Sequence, residues 1–325
     1  MSPRIRVLVL VVVLAGAAAA VVVGGTLLQT DGDAAPPRDA ATRPSGEPPL
    51  LLDLGVRTDP EARDLRRAEE LVSAGRRDAA AAVFQRHDSL EARVGVALAR
   101  WPDGSVAALR ELAAANPRSA LVRLNLGFAL FWSGEREEAV RQWRQARRVE
   151  PDTLSAVRAD DLLHPNAPRG IPVFVSSAPV PRAIAALAPD RQLSALERAA
   201  RARDVEAKLH LGVALQRLGR RLSARRVFDE AAALAPDDPE PQVAAAVARF
   251  DKADPSAAFS RLGPLSRRFP DAPTVRFHLG LLLLWTGAVD EARTQLQRAA
   301  ALDPSDPLAR EANRFLARLG DLGTN

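Results

Sequence analysis

The chain has 325 residues, of which 47% are apolar and 26% charged, so it can bury one long domain or two ordinary ones. It has no cysteine, and its four histidines, His87, His164, His210 and His278, are scattered singly, which excludes disulfide frameworks, thiol chemistry and cysteine-based zinc sites. The net charge is only +5, and basic pairs such as Arg147-Arg148, Arg220-Arg221 and Arg267-Arg268 are interleaved with acids. A phosphate-binding face needs clustered, unopposed charge, so no nucleic-acid partner is expected.

In chain order, "MSPRIR" is followed by an uncharged apolar run from Val7 to Leu28, which as a helix would measure about 33 Å and so span the hydrocarbon core of a bilayer. Arg4 and Arg6 precede it, and Asp31 and Asp33 follow. The positive-inside bias then puts the N-terminus in the cytoplasm and everything after Leu28 outside. Residues 1–28 are therefore expected to be an N-terminal transmembrane signal-anchor, the run being longer than a usual signal core. The small-residue stretch "AGAAAA" leaves a cleavable signal peptide as the alternative, and both readings export the rest of the chain. Residues 29–57, rich in Pro, Ala and charge, are expected to form a semi-extended linker.

From residue 58 the sequence repeats itself. Pro117 and Pro151 lie 34 residues apart, as do Pro236, Pro270 and Pro304. Gly127, Gly134, Ala139 and Ala146 recur at the same offsets as Gly212, Gly219, Ala224 and Ala231, and again as Gly280, Gly287, Ala292 and Ala299. Ala246, Ala253 and Ala258 carry a weaker copy. Each offset has a physical reason. Gly127, Gly212 and Gly280 fall in mid-helix, where glycine costs about 1 kcal/mol against alanine, so a close helix–helix approach is expected to offset it. Gly134, Gly219 and Gly287 suit a left-handed helix end. The alanines let a second helix lie against the first, and the prolines close it.

This pattern resembles the tetratricopeptide repeat, a helix-turn-helix unit of 34 residues. Trp143 and Phe228 stand where that family has an aromatic in its second helix, Leu296 replaces it in the last unit, and Arg123, Lys208 and Arg276 stand where the family has an early Trp. Two degenerate units precede, Ala68 to Arg86 and "LEARVGVALARWPDGSVAALRELAAANP". The fold class expected is all-α, a helix-turn-helix repeat solenoid in two three-unit modules behind the N-terminal transmembrane helix.

The duplication follows from phase. Gly212 and Gly280 are two periods apart, but Gly127 and Gly212 are two and a half apart. Each side of that break holds three units and a closing helix, Leu154–Leu163 and Pro307–Gly320, giving modules at 58–164 and 189–325 around a Pro-rich, non-helical insert at 165–188. The β-prone stretch Ile171 to Val175 in the insert is expected to lie in or beside the groove of the first module, where a partner would have to displace it.

No Gly-rich phosphate loop, Gly-x-Ser-x-Gly elbow or His-Glu-x-x-His motif is present, and no enzyme activity, cofactor, metal or small-molecule substrate is expected. The resemblance implies a concave surface lined by the first helix of each pair, which binds peptides or helices. The candidate protein-binding groove residues are Leu121, Leu124, Phe128, Phe131 and Trp132 on one first helix, Gln216 and Arg217 on another, and Phe277, Leu281, Leu284 and Trp285 on a third. The apolar ones either line a groove or pack as core against neighbouring helices. The expectation is a single-pass scaffold of a bacterial cell membrane, its repeat domain extracytoplasmic, bound to an unidentified protein or peptide. An accessory domain for cell-wall glycan or secreted enzymes, or a cryptic enzyme, is the alternative.

Overall fold

The computed structural model describes residues 46–323, and every regular element among them is a helix. The expected membrane anchor at 1–28 lies outside the described residues; within them no helix is long and apolar enough to cross a membrane. The described chain divides between Pro165 and Asn166 into two compact units.

The first unit holds α1 (Pro60–Ser73), α2 (Arg77–Phe84), α3 (Leu90–Ala99), α4 (Ser105–Ala115), α5 (Ala120–Ser133), α6 (Arg136–Val149) and α7 (Leu154–Leu163). These are three helix pairs and a closing helix. The second unit begins with one turn, α8 (Arg182–Ala185), inside the stretch expected to be non-helical, and α9 (Pro189–Ala199). Three pairs follow: α10 (Val205–Arg217) with α11 (Arg221–Leu234), α12 (Pro239–Val247) with α13 (Ser256–Arg268), and α14 (Pro273–Trp285) with α15 (Val289–Leu302). The closing helix is α16 (Pro307–Gly323).

Local chemistry sets these boundaries. Asp59, Ser89, Ser119, Thr153, Asp204 and Asp238 each cap a helix, their side-chain oxygens accepting from a main-chain N–H in the first turn. Gly134, Gly219 and Gly287 end first helices at φ of 92°, 73° and 80°, the left-handed region that other residues avoid. Along each unit the first helices pack on one another, α1 on α3, α3 on α5, and α10 on α12, α12 on α14. They form one layer, with the second helices on the other side.

The mid-helix glycines make room chiefly for side chains, with the Ala292 carbonyl also close, at 3.2 Å, to a Cβ placed on Gly280. A Cβ on Gly127 would lie 2.2 Å from the Trp143 indole nitrogen, and one on Gly212 would lie 2.2 Å from the Phe228 ring. On Gly280 it would meet Leu296 at 2.9 Å. Each glycine thus makes room for the large side chain of its partner helix. The basic residues in place of an early Trp bridge within the pair: Arg123 donates to Gln142, Arg276 to Gln295, and Lys208 to Glu230.

The linker reading needs correction at its end. Residues 29–57 are expected to form a semi-extended linker, yet Pro48 is buried and Leu50 and Leu54 join the core of the first unit. The run of leucines there supplies enough apolar surface to hold the chain against the helices.

Candidate functional site

In each unit the first-helix layer is covered by a length of the chain's own extended backbone. In the second unit that stretch is Ile171 to Ala178, and it forms no ladder with a strand among the described residues. Side chains of the first helices take its main-chain groups instead. Gln216 on α10 accepts the Phe174 N–H at 2.9 Å and faces the Pro172 carbonyl with its own amide at 3.4 Å. His278 on α14 accepts the Val175 N–H through Nε2 at 2.9 Å. Glu240 on α12 accepts from the Ser177 N–H at 2.7 Å, the Ser177 hydroxyl at 2.8 Å and the Ser176 hydroxyl at 2.9 Å. His210 on α10 donates through Nε2 to the Ala178 carbonyl at 3.2 Å.

Side chains along the segment alternate as an extended chain requires, with Pro172 and Phe174 buried and Ile171, Val173 and Val175 half-buried. Phe174 is fully buried. Its ring stacks on the His278 imidazole at 4.8 Å and meets the Phe228 ring edge-on at 5.6 Å. Gly212 admits Phe228, and Phe228 in turn floors the pocket that Phe174 fills.

The first unit repeats the arrangement with different side chains. Asn125 on α5 accepts the Leu51 N–H at 3.1 Å and donates to the Leu51 carbonyl at 2.9 Å, while Glu69 on α1 accepts the Leu52 N–H at 2.9 Å. Arg66 donates to the Gly55 carbonyl, and Asp53 accepts from the Ser155 N–H on the closing helix α7. Asn125, His210 and His278 each stand two residues before a repeat glycine, Gly127, Gly212 and Gly280. One position of the repeat therefore serves main-chain recognition in both units.

Burial shapes the electrostatics. His278 is pushed down to about 4 by desolvation, opposed by its bond to the Thr274 carbonyl. Because a carbonyl only accepts, Nδ1 carries the proton and donates to Thr274 at 2.7 Å, which leaves Nε2 free to accept from Val175. Burial raises Glu69 to about 7 and also raises Asp53, and it lowers Arg217 to about 10.

Among the residues expected to line the groove, Gln216 touches the enclosed segment. Leu121, Leu124, Phe128, Phe131, Phe277, Leu281, Leu284 and Trp285 are all buried, while Trp132 and Arg217 are half-buried. Phe128 and Phe131 pack on Trp143 at 6.0 and 5.7 Å, Phe277 on Phe315 of the closing helix at 5.9 Å, and Trp285 on Phe250 at 5.7 Å. Neighbouring elements thus cover most of that second apolar face. The placement of Ile171 to Val175 in the first module's groove is overturned, since every contact described for it is with Gln216, His278 and Phe228 of the second unit. The insert turns toward the helices that follow it, whose polar side chains satisfy its amides. Asn125, Glu69, His210, Glu240 and His278 carry the recognition and were not among the expected residues.

Residues 243–307, from within α12 to the start of α16, match a family model described as tetratricopeptide repeat. That stretch carries a tetratricopeptide repeat. No curated protein matches the sequence. Similar solved structures include YrrB, described as a tetratricopeptide repeat protein with an unusual peptide-binding site, at 16% identity, covering 64% of this chain and 99% of that one with a TM-score of 0.30. A tetratricopeptide repeat protein from Parabacteroides merdae is 11% identical, covers 80% and 98% of the two chains, and has a TM-score of 0.34. The TPR2AB domain of yeast Sti1 in complex with pHSP90 is 13% identical, covers 80% and 98%, and has a TM-score of 0.30. Among the described residues no group of three or more His, Cys, Asp or Glu is placed to hold a metal ion.

Proposed function

We propose that this protein is a non-enzymatic tetratricopeptide repeat scaffold, held in a bacterial cell membrane by residues 1–28, whose repeat units outside the membrane bind an extended stretch of another protein. The observation that carries the reading is the way each first-helix layer already holds backbone. Asn125 pairs with both main-chain groups of Leu51, and Gln216, His278 and Glu240 take the amides of Phe174, Val175 and Ser177 in the second segment. Side chains that satisfy amides and carbonyls recognise extended peptide of any sequence, and neighbouring pockets add selectivity.

Binding is tested on the full chain in detergent with a random library of extended peptides bearing a photo-crosslinker. Crosslinks are expected on α5, α10, α12 and α14. Crosslinks confined to the outer faces of the second helices would remove the reading. The anchor is tested separately by N-terminal sequencing of protein extracted from membranes. A chain that still contains Val7 to Leu28 is expected; one that begins after Ala20 would overturn the anchor and leave the export intact.

A further inference from the structure

We propose that Ile171 to Ala178 is an internal ligand of the second unit, and that the partner of this groove is an extended, uncharged peptide that repeats its chemistry. That chemistry is a phenylalanine at the position of Phe174, an apolar residue on either side, and two hydroxyl residues in the places of Ser176 and Ser177. The inference rests on the scaffold reading above and narrows it to one groove and one class of peptide.

The contacts define what the groove selects. The pocket between Phe228 and His278 is closed and aromatic, with ring centroids 5.6 and 4.8 Å from Phe174, so it takes a flat apolar ring. Gln216 and His278 receive two consecutive N–H groups, Phe174 and Val175, and so exclude proline at both places. Glu240 receives three donors from Ser176 and Ser177 within 2.9 Å, so a carboxylate or a phosphate there would face a carboxylate. The groove therefore rejects acidic and phosphorylated peptides.

The segment is bound as a ligand is bound. Its polar anchors are side chains meeting main-chain groups, with no strand ladder among the described residues, and it is tethered at both ends by prolines and loop, Pro165 to Arg169 and Pro179 to Pro181. A tethered segment has an effective concentration of about millimolar, so a competitor in solution meets a strongly masked site until the segment is weakened.

The probe is a fluorescein-labelled peptide of residues 169–180 added to the full chain, followed by anisotropy. The wild-type protein is expected to bind it weakly. The double variant Ser176→Ala, Ser177→Ala loosens the segment without touching the core and should bind roughly tenfold more tightly, and Phe174→Ala roughly a hundredfold. Adding Gln216→Ala to Phe174→Ala, or phosphorylating both serines of the peptide, should abolish the gain. If the double variant keeps its wild-type melting curve and gains no affinity, the segment is a fixed strut and the proposal falls, whatever the fate of Phe174→Ala. Binding to Phe174→Ala that is unchanged when Gln216→Ala is added would leave peptide binding in place and remove this groove as its seat. A wild-type dimer by light scattering that the peptide converts to monomer would overturn the internal ligand in favour of a segment exchanged between two copies.

Discussion

Trp143→Ala is expected to destabilise the first unit by about 3–5 kcal/mol, the range for removing a large ring from a packed interior. Trp143 is only 2% exposed, its ring touches Phe128 and Phe131, and its indole N–H donates to the Leu124 carbonyl at 3.3 Å. The glycine opposite makes the effect diagnostic. In the wild-type chain Gly127→Ala places a methyl 2.2 Å from the indole nitrogen, and overpacking of about 1–3 kcal/mol outweighs a helix-propensity gain of about 1 kcal/mol. In the Trp143→Ala background the clash is gone and the propensity gain remains, so the same Gly127→Ala change should become stabilising. Native-state hydrogen exchange of α5 and α6 measures both signs. If Gly127→Ala costs the same in both backgrounds, the glycine serves the backbone and not the indole.

That coupling explains how much of the architecture was legible in the sequence. Repeats are read from offsets, and the offsets of Gly134, Ala139 and Pro151 each encode a local requirement that a helix pair must meet at the same place. The turn glycines, the closing prolines and the closing helices follow directly. The mid-helix glycine marked a close approach, but the sequence alone does not say which atoms approach. Only the structure shows that Trp143, Phe228 and Leu296 fill the space.

The occupied grooves were hidden for a different reason. An extended segment has no period of its own, and its amides are satisfied by side chains far along the chain: Leu51 by Asn125, and Val175 by His278. Leu50 to Leu54 directly follows the Pro- and Ala-rich stretch 34–49 and carries no helical period that would set it apart from a linker. A usable signal was nonetheless present. Asn125, His210 and His278 interrupt apolar first helices at one fixed offset from a repeat glycine, and all three are buried. A polar residue kept at a buried repeat position implies a partner to satisfy it. The apolar face of Phe128, Phe131 and Trp285 is the stronger signal in the sequence, and it is largely enclosed by neighbouring helices.

The two grooves are expected to respond to pH in opposite directions. His278 accepts the Val175 N–H only when neutral, and its folded value of about 4 lies below its ordinary 6.5. A protonated ring would lose that acceptor and carry charge into the core. With the folded value depressed, the stabilisation is complete above pH 6.5 and is lost as pH falls from 6.5 through 4, by about 3 kcal/mol over the whole range. Glu69 has the reverse sign. Its folded value of about 7 is raised above 4.5, so its contribution is complete below pH 4.5 and is lost as pH rises through 7, by a comparable amount. Its protonated form can still accept the Leu52 N–H through the carbonyl oxygen, whereas the ionised form brings a poorly solvated charge into the first unit. Hydrogen exchange of residues 171–178 should therefore quicken between pH 6.5 and 4.5 once the intrinsic rate is corrected for, and that of residues 50–54 should slow. His278→Asn, which installs the side chain found at the equivalent Asn125, should flatten the first response and leave the second unchanged. An acid response in residues 171–178 that survives His278→Asn would place the titrating group elsewhere and sever the link between the imidazole and the enclosed segment.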